Sequence, residues 1–111
     1  MKTRDEIITE ITRRLVKYFH PERVYLFGSA ARGDIGPDSD LDFCVVLPDD
    51  APRSLYRAEA YEALRGIETA VDLVRVPASD FDARGKHVLA SLPAAVLREG
   101  KLLYDARSVA A

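Results

Sequence analysis

The chain has 111 residues, of which 48% are hydrophobic and 31% are charged, and its formal net charge is −2. This length favours a single domain over 1–111, and the charge argues against direct nucleic-acid binding, which needs clustered lysine and arginine. The single cysteine, Cys44, excludes an intrachain disulfide and a multi-cysteine zinc site. No stretch is apolar enough to span a bilayer and residues 1–10 lack a signal-peptide pattern, so we expect a cytoplasmic protein with no membrane contact.

Apolar spacing predicts the elements in chain order. Residues 3–20 carry apolar side chains at helical spacing, with a capping box at Thr3 and Glu6 and a stop at Pro21. The further predicted elements are strands at 24–27 and 41–47, a helix at 54–66, a strand at 70–76, helical pieces at 81–98 and a closing strand at 101–104. This order predicts an α/β (α+β) fold, with a small mixed sheet and helices packed mainly on one face.

Two carboxylates open the second predicted strand. Asp40 and Asp42 lie one residue apart, and strand residues two apart point to the same side. Carboxylates this close repel unless a cation lies between them, and such oxygen ligands suit Mg²⁺. In the alternative interpretation, Asp40 is a turn residue and Asp42 is a solvated strand position, because Asp-x-Asp alone is a weak motif.

A third carboxylate, Asp72, interrupts the apolar run at 70–76. An unpaired charge is costly to bury, and a metal site shared with Asp40 and Asp42 would remove that cost if the two strands are neighbours. The alternative is an edge strand with Asp72 in solvent. We favour the shared site, in which Asp72 holds the reactive metal and orients or deprotonates an attacking hydroxyl.

Small residues end the first predicted strand at Gly28 and Ser29, ten residues before Asp40. Glycine permits close backbone approach, and a helical turn that begins at Ser29 would direct free N–H groups at a phosphate. The Ser29 hydroxyl adds a further donor, and Arg32 lies about one helical turn later, within reach of the same phosphate. The alternative is an ordinary turn from strand to helix.

Together these residues resemble the nucleotidyltransferase superfamily that includes DNA polymerase β, and more narrowly its minimal nucleotidyltransferases. That family's motif of Gly-Ser, ten residues and Asp-x-Asp is met by Gly28 with Ser29 and by Asp40 with Asp42, and its later carboxylate matches Asp72. The resemblance implies a polymerase β-like fold, a nucleoside triphosphate donor and two Mg²⁺ ions. It also implies that the first two carboxylates ligate both metals, and that the third ligates the catalytic metal and helps to activate the acceptor.

Stand-alone members of this family are often encoded beside a HEPN-domain ribonuclease and resemble antitoxins that adenylylate it, typically at a tyrosine. The resemblance therefore implies AMP transfer from ATP to a HEPN toxin in a type VII-like toxin–antitoxin system, with a possible oligomer of the two proteins. The short chain, with no second module for an antibiotic or a transfer RNA, favours a protein acceptor. The alternatives are a non-catalytic antitoxin that covers its toxin and an aminoglycoside-like small-molecule nucleotidyltransferase.

Overall fold

The computed structural model describes residues 3–28, 31 and 40–109. Four strands within this part form one mixed sheet in the order β3-β2-β1-β4. The strands are β1 (Arg23–Phe27), β2 (Leu41–Leu47), β3 (Val71–Pro77) and β4 (Lys101–Asp105). β1 pairs antiparallel with β2 and β4, whereas β2 and β3 run parallel. The predicted fold class is confirmed, and all four predicted strands are present.

The helices include the one predicted at the start of the chain. They are α1 (Arg4–Phe19), two short 3-10 helices (Arg53–Tyr56 and Ala58–Leu64), α2 (Ala78–His87), α3 (Leu92–Glu99) and α4 (Ala106–Val109). The predicted capping box begins α1: the hydroxyl of Thr3 accepts from the backbone N–H of Glu6, whose carboxylate accepts from the backbone N–H of Thr3. Pro93 lies in the first turn of α3, where its missing N–H costs nothing. None of these described helices is long and apolar enough to cross a bilayer.

The helix predicted at 54–66 is replaced by the two 3-10 helices, with an extended residue, Arg57, between them. Contacts with the outer edge of β3 explain the difference. The guanidinium of Arg75 donates to the carbonyl oxygens of Leu55 and Arg57, at 3.3 and 2.8 Å, and the hydroxyl of Tyr61 accepts a backbone N–H of β3. These tertiary bonds compete with a continuous α-helical ladder, which the sequence pattern alone favoured.

Both faces of the sheet carry helices, where the sequence indicated mainly one. α1 and the second 3-10 helix cover one face, and α2 and α3 cover the other. The residues buried on the first face include Val24, Leu26, Phe43 and Val45, and those on the second include Tyr25, Cys44 and Val46. β2 is buried on both sides along nearly its whole length, which requires helices on both.

Candidate active site

The sheet topology brings the predicted acidic residues to one end of the sheet. β2 and β3 are parallel, so they begin at the same end, and antiparallel β1 finishes there. Asp42 lies opposite Asp72 in β3 and opposite Phe27 in β1. The backbone N–H of Leu41 donates to the carbonyl of Ala70 at 3.0 Å, which fixes the relative position of the two strand starts. Parallel pairing thus places two carboxylates side by side.

The side chains of Asp42 and Asp72 point to the same face, because opposed residues in paired strands share a side. That face is the one beneath α2 and α3, since Cys44 and Val46 follow Asp42 at alternate positions and belong to that core. Asp42 is partly buried, whereas Asp72 and the preceding Asp40 are exposed. The carboxylates therefore border solvent at the open end of the sheet.

Electrostatic repulsion links the three carboxylates. Burial raises the pKa of Asp42 above its ordinary value, and the negative charges of Asp72 and Asp40 raise it further. Across residues 3–28, 31 and 40–109, no lysine or arginine forms an ion pair with any of the three. Carboxylates that repel one another without a cationic side chain between them have the charge that a divalent cation would balance.

The turn after β1 is shaped around Asp42. Gly28 has a φ of +76°, which favours glycine, and a Cβ at this position would lie only 2.5 Å from Oδ2 of Asp42. Glycine therefore suits the backbone conformation, and any larger residue would require the carboxylate to shift. Ser29 and Arg32 lie outside the described residues, so the phosphate contacts expected of the turn stay predictions.

The donor chemistry fits magnesium, which prefers carboxylate oxygens and shares its coordination sphere with water and substrate phosphates. Asp40, Asp42 and Asp72 are the residues that would hold such ions. In the part of the chain that the structure describes, no three histidine, cysteine, aspartate or glutamate side chains are gathered tightly enough to form a metal site by themselves. The assignment of these aspartates as metal ligands stays a prediction.

Phe27 is a site neighbour that the sequence interpretation did not single out. It lies opposite Asp42 and is partly buried against the core beneath α2 and α3. Its ring thus gives the carboxylates an apolar border on the β1 side. Strand alternation in the sequence predicts that Tyr25 and Phe27 lie on the same side of β1. The position of Phe27 opposite Asp42 follows only from the strand pairing in the sheet.

Cys44, two residues after Asp42, is buried, and burial raises the pKa of its thiol to about 12. The thiolate is the nucleophilic form of cysteine, so a thiol with this pKa stays protonated and inert at neutral pH. Cys44 is thus a small residue of the core, and the acidic residues remain as the chemical groups of the site.

Two surface depressions along α1 are separate from the carboxylates. One, of about 390 Å³, lies between α1 and the turn at 66–69, and the other, of about 410 Å³, is lined by Arg13, Arg14 and Lys17. Both border α1, which covers the face opposite Asp42 and Asp72. We therefore assign neither to the candidate site.

Two in-register carboxylates on parallel strands, beside a glycine turn, define a site suited to chemistry on nucleotide phosphates. The chain belongs to the nucleotidyltransferase domain family, whose model matches residues 6–101. The matched span contains Gly28 and the three aspartates of the site. No protein of curated function matches the chain in sequence.

Solved structures share the fold. A toxin–antitoxin solved with AMP-PNP aligns with a TM-score of 0.55 and 25% identity, over 91% of this chain and 75% of its own. A provisionally assigned nucleotidyltransferase from Sulfolobus solfataricus aligns with a TM-score of 0.57 and 23% identity, over 91% and 79%. A mutant of the toxin–antitoxin MntA-HpeT aligns with a TM-score of 0.53 and 22% identity, over 98% and 77%. The resemblance to the nucleotidyltransferases of toxin–antitoxin pairs is confirmed.

Proposed function

We propose that this chain transfers AMP from ATP to a hydroxyl group of a partner protein and thereby acts as that partner's antitoxin. The observation that carries the proposal is the in-register pair of Asp42 and Asp72 beside Gly28. Membership of the nucleotidyltransferase family supports the reaction type. The similar toxin–antitoxin solved with AMP-PNP supports an adenine nucleotide and a protein partner.

The finer features of the proposal come from the resemblance to minimal nucleotidyltransferases. The partner is a HEPN-domain toxin, the acceptor is a tyrosine hydroxyl, and the chain works in the cytoplasm as one domain over 1–111. The net charge of −2 supports a protein acceptor over a nucleic acid, because phosphate backbones attract strongly basic surfaces.

The transfer is a substitution at the α-phosphorus of ATP. The acceptor oxygen forms a bond to that phosphorus, the bond to the oxygen bridging to the β-phosphate breaks, and its electron pair leaves with pyrophosphate. Asp72 is exposed on the edge strand β3, where the hydroxyl of a partner protein can reach it. We therefore assign Asp72 the role of general base: it accepts the proton of the acceptor hydroxyl and then releases that proton to solvent. Two Mg²⁺ ions, held by Asp40, Asp42 and Asp72, would neutralise charge on the phosphates.

Intact-mass spectrometry tests this proposal. The protein encoded beside this chain in its source genome is incubated with the chain, ATP and Mg²⁺, and its mass should rise by one or more AMP units. Peptide mapping should locate each unit on a tyrosine. The Asp42→Asn and Asp72→Asn variants should produce no gain, whereas Asp50→Asn, a change in an exposed turn, should produce the normal gain.

A neighbour protein whose mass never changes with the unmodified chain would contradict the transfer. If the same Asp42→Asn variant still neutralised the toxin, the chain would act by covering its partner instead. The exposed apolar surface described below makes that second outcome a concrete alternative.

A further inference from the structure

Most of the exposed large apolar side chains lie in one stretch of the chain. In the part of the chain that the structure describes, seven large hydrophobic residues are exposed, and five of them lie between 88 and 102. These five are Val88, Leu89, Leu92, Leu97 and Leu102, with exposed fractions from 40% to 80%. Four belong to the α2–α3 hairpin and its turn and the fifth to β4, so we call them the hairpin patch. Clustered apolar exposure of this kind marks interaction surfaces.

The hairpin that carries the patch is held in place by its own contacts. The guanidinium of Arg98 donates to a carbonyl of the connecting turn at 3.1 Å, and the side chain of Ser91 donates to another at 2.7 Å. Leu97 packs over Gly85, where a Cβ would lie 2.5 Å from Cδ1 of the leucine. A surface that is already ordered loses little conformational entropy when a partner binds.

The patch adjoins the catalytic end of the sheet. α3 leads through Gly100 into β4, whose first residue, Lys101, lies opposite Leu26 in β1. The next residue of β1, Phe27, lies opposite Asp42. Two interstrand spacings of about 4.8 Å each place the start of β4 roughly 10 Å from Asp42. α3 also covers the face to which Asp42 points. A protein held on the patch can therefore present a hydroxyl to the carboxylates.

The charge around the patch indicates the chemistry of its partner. Between 83 and 102 the chain has four lysine or arginine residues and one glutamate, although its net charge is −2. Lys86, Arg98 and Lys101 are exposed, and none of them pairs with a carboxylate among the residues the structure describes. A second copy of the chain would bring these like charges together in a two-fold interface. A different protein with an acidic rim would instead place negative charges beside these lysine and arginine side chains.

We infer that the hairpin patch docks the acceptor protein through an apolar surface rimmed with aspartate and glutamate. The inference rests on the proposed function, because the docked protein is the substrate of the AMP transfer. It adds the surface that selects this substrate and holds its hydroxyl near Asp42 and Asp72.

Isothermal titration calorimetry without ATP tests the docking separately from the chemistry. The protein encoded beside this chain is titrated into the unmodified full chain and into the double variant Leu89→Glu/Leu102→Glu. Both leucines are about half exposed or more, at 80% and 49%, so the fold should tolerate the change. We expect affinity at least tenfold lower, because each glutamate would place a charge in the apolar contact and would also repel an acidic partner rim. The single variant Leu89→Glu provides a second test if the double variant melts early.

Tyr18→Glu is the matched control, since Tyr18 is 40% exposed but lies on α1, on the other side of the sheet. Its affinity should equal that of the unmodified chain. Equal affinity for the patch variants, or no binding by the unmodified chain, would overturn the inference.

The Asp42→Asn variant separates docking from transfer, because it should bind normally while transferring no AMP. In steady-state assays the patch variants should raise KM for the partner at least tenfold with little change in kcat. Binding that depends on the patch, with no transfer by any variant, would support the docking surface and refute the proposed reaction. An unchanged KM for the partner in the patch variants, with AMP transfer intact, would refute the docking surface and support the proposed reaction.

Discussion

Asp42 and Asp72 face each other in register across the parallel strands β2 and β3, at the end where both strands begin. Like charges directly opposed in a sheet oppose folding. The raised pKa of Asp42, caused by burial and then by its neighbour's charge, is the sign of this strain. An arrangement that costs stability is expected where it serves chemistry, so substitutions at this pair should change both the stability and the activity of the protein.

Asp42→Asn should stabilise the protein at pH 7. The pKa of Asp42 is higher in the folded state than in the unfolded state, so the folded state binds the carboxyl proton more tightly. Protonated Asp42 therefore contributes stability at low pH, and this contribution is lost as the pH rises through the folded-state pKa. Removing the charge should therefore raise Tm by roughly 1–3 °C at pH 7, the change that a few tenths of a kcal/mol produce in a domain of this size.

Differential scanning calorimetry between pH 4 and 8 measures this effect, and the difference should shrink toward the acid end. Asp50→Asn is the reference, because Asp50 lies in an exposed turn. A variant of Asp42 with a lower Tm than the unmodified chain at pH 7 would show that the carboxylate stabilises the fold.

Gly28→Ala should lower the rate of AMP transfer about 100-fold. A Cβ at this position would lie 2.5 Å from Oδ2 of Asp42, so the carboxylate must move, and a displacement of about 1 Å in a reacting group can cost roughly 100-fold in rate. Gly66→Ala is a matched control, because Gly66 also has a positive φ, of +87°, but a Cβ there meets nothing within 4 Å.

Both alanine variants should lose about 1 kcal/mol or more of stability through backbone strain, and only Gly28→Ala should lose transfer activity. Chemical denaturation and the mass-gain assay, run on the same preparations, separate these effects. Equal activity in the two variants would mean that the contact between Gly28 and Asp42 has no role in the reaction.

Mg²⁺ together with AMP-PNP should raise the Tm of the unmodified chain. A ligand at 100 times its Kd adds about 2.7 kcal/mol to the stability of the state that binds it. Asp42→Asn and Asp72→Asn should each remove most of the Mg²⁺-dependent part, and EDTA should reverse the shift. A shift that survives in both variants would place the metal elsewhere on the chain.

The thiol of Cys44 should react slowly in the folded protein. Burial raises its pKa to about 12, so little thiolate forms at pH 8, and the side chain is shielded from reagents. Labelling with a thiol reagent should be at least about 100-fold faster in denaturant. Rapid labelling of the native chain would mean that the β2 core opens readily.

Local patterns were sufficient to predict much of the fold. Alternating and continuous apolar runs predicted all four strands, and the pair Thr3 and Glu6 predicted the start of α1. These predictions succeed because strand and helix-cap signals depend only on neighbouring residues. The 3-10 segment was not predictable in the same way, since Arg75 reaches it from a strand some twenty residues away.

The residues of the candidate site could be proposed from the sequence, but the pairing of the strands that carry them could not be derived from it. The spacing of Gly28, Asp40 and Asp42 is visible in the sequence, and the interrupted apolar run marks Asp72. The parallel pairing that sets Asp72 opposite Asp42, and the neighbouring Phe27, follow from strand order, which no local pattern encodes. Asp72 is exposed on an edge strand, which the interpretation as a solvated residue predicted. It also lies opposite Asp42, which the interpretation as part of a shared metal site required.

The most direct test of nucleotidyl transfer compares two labelled forms of ATP. The neighbouring protein is incubated with the chain, Mg²⁺ and ATP that carries ³²P either at the α-phosphate or at the γ-phosphate. Nucleotidyl transfer predicts that the α label is transferred and the γ label is not, and that Asp42→Asn and Asp72→Asn transfer neither. Transfer of the γ label would show a phosphoryl transferase, and α-label transfer that persists in both variants would show that these carboxylates do not perform the reaction.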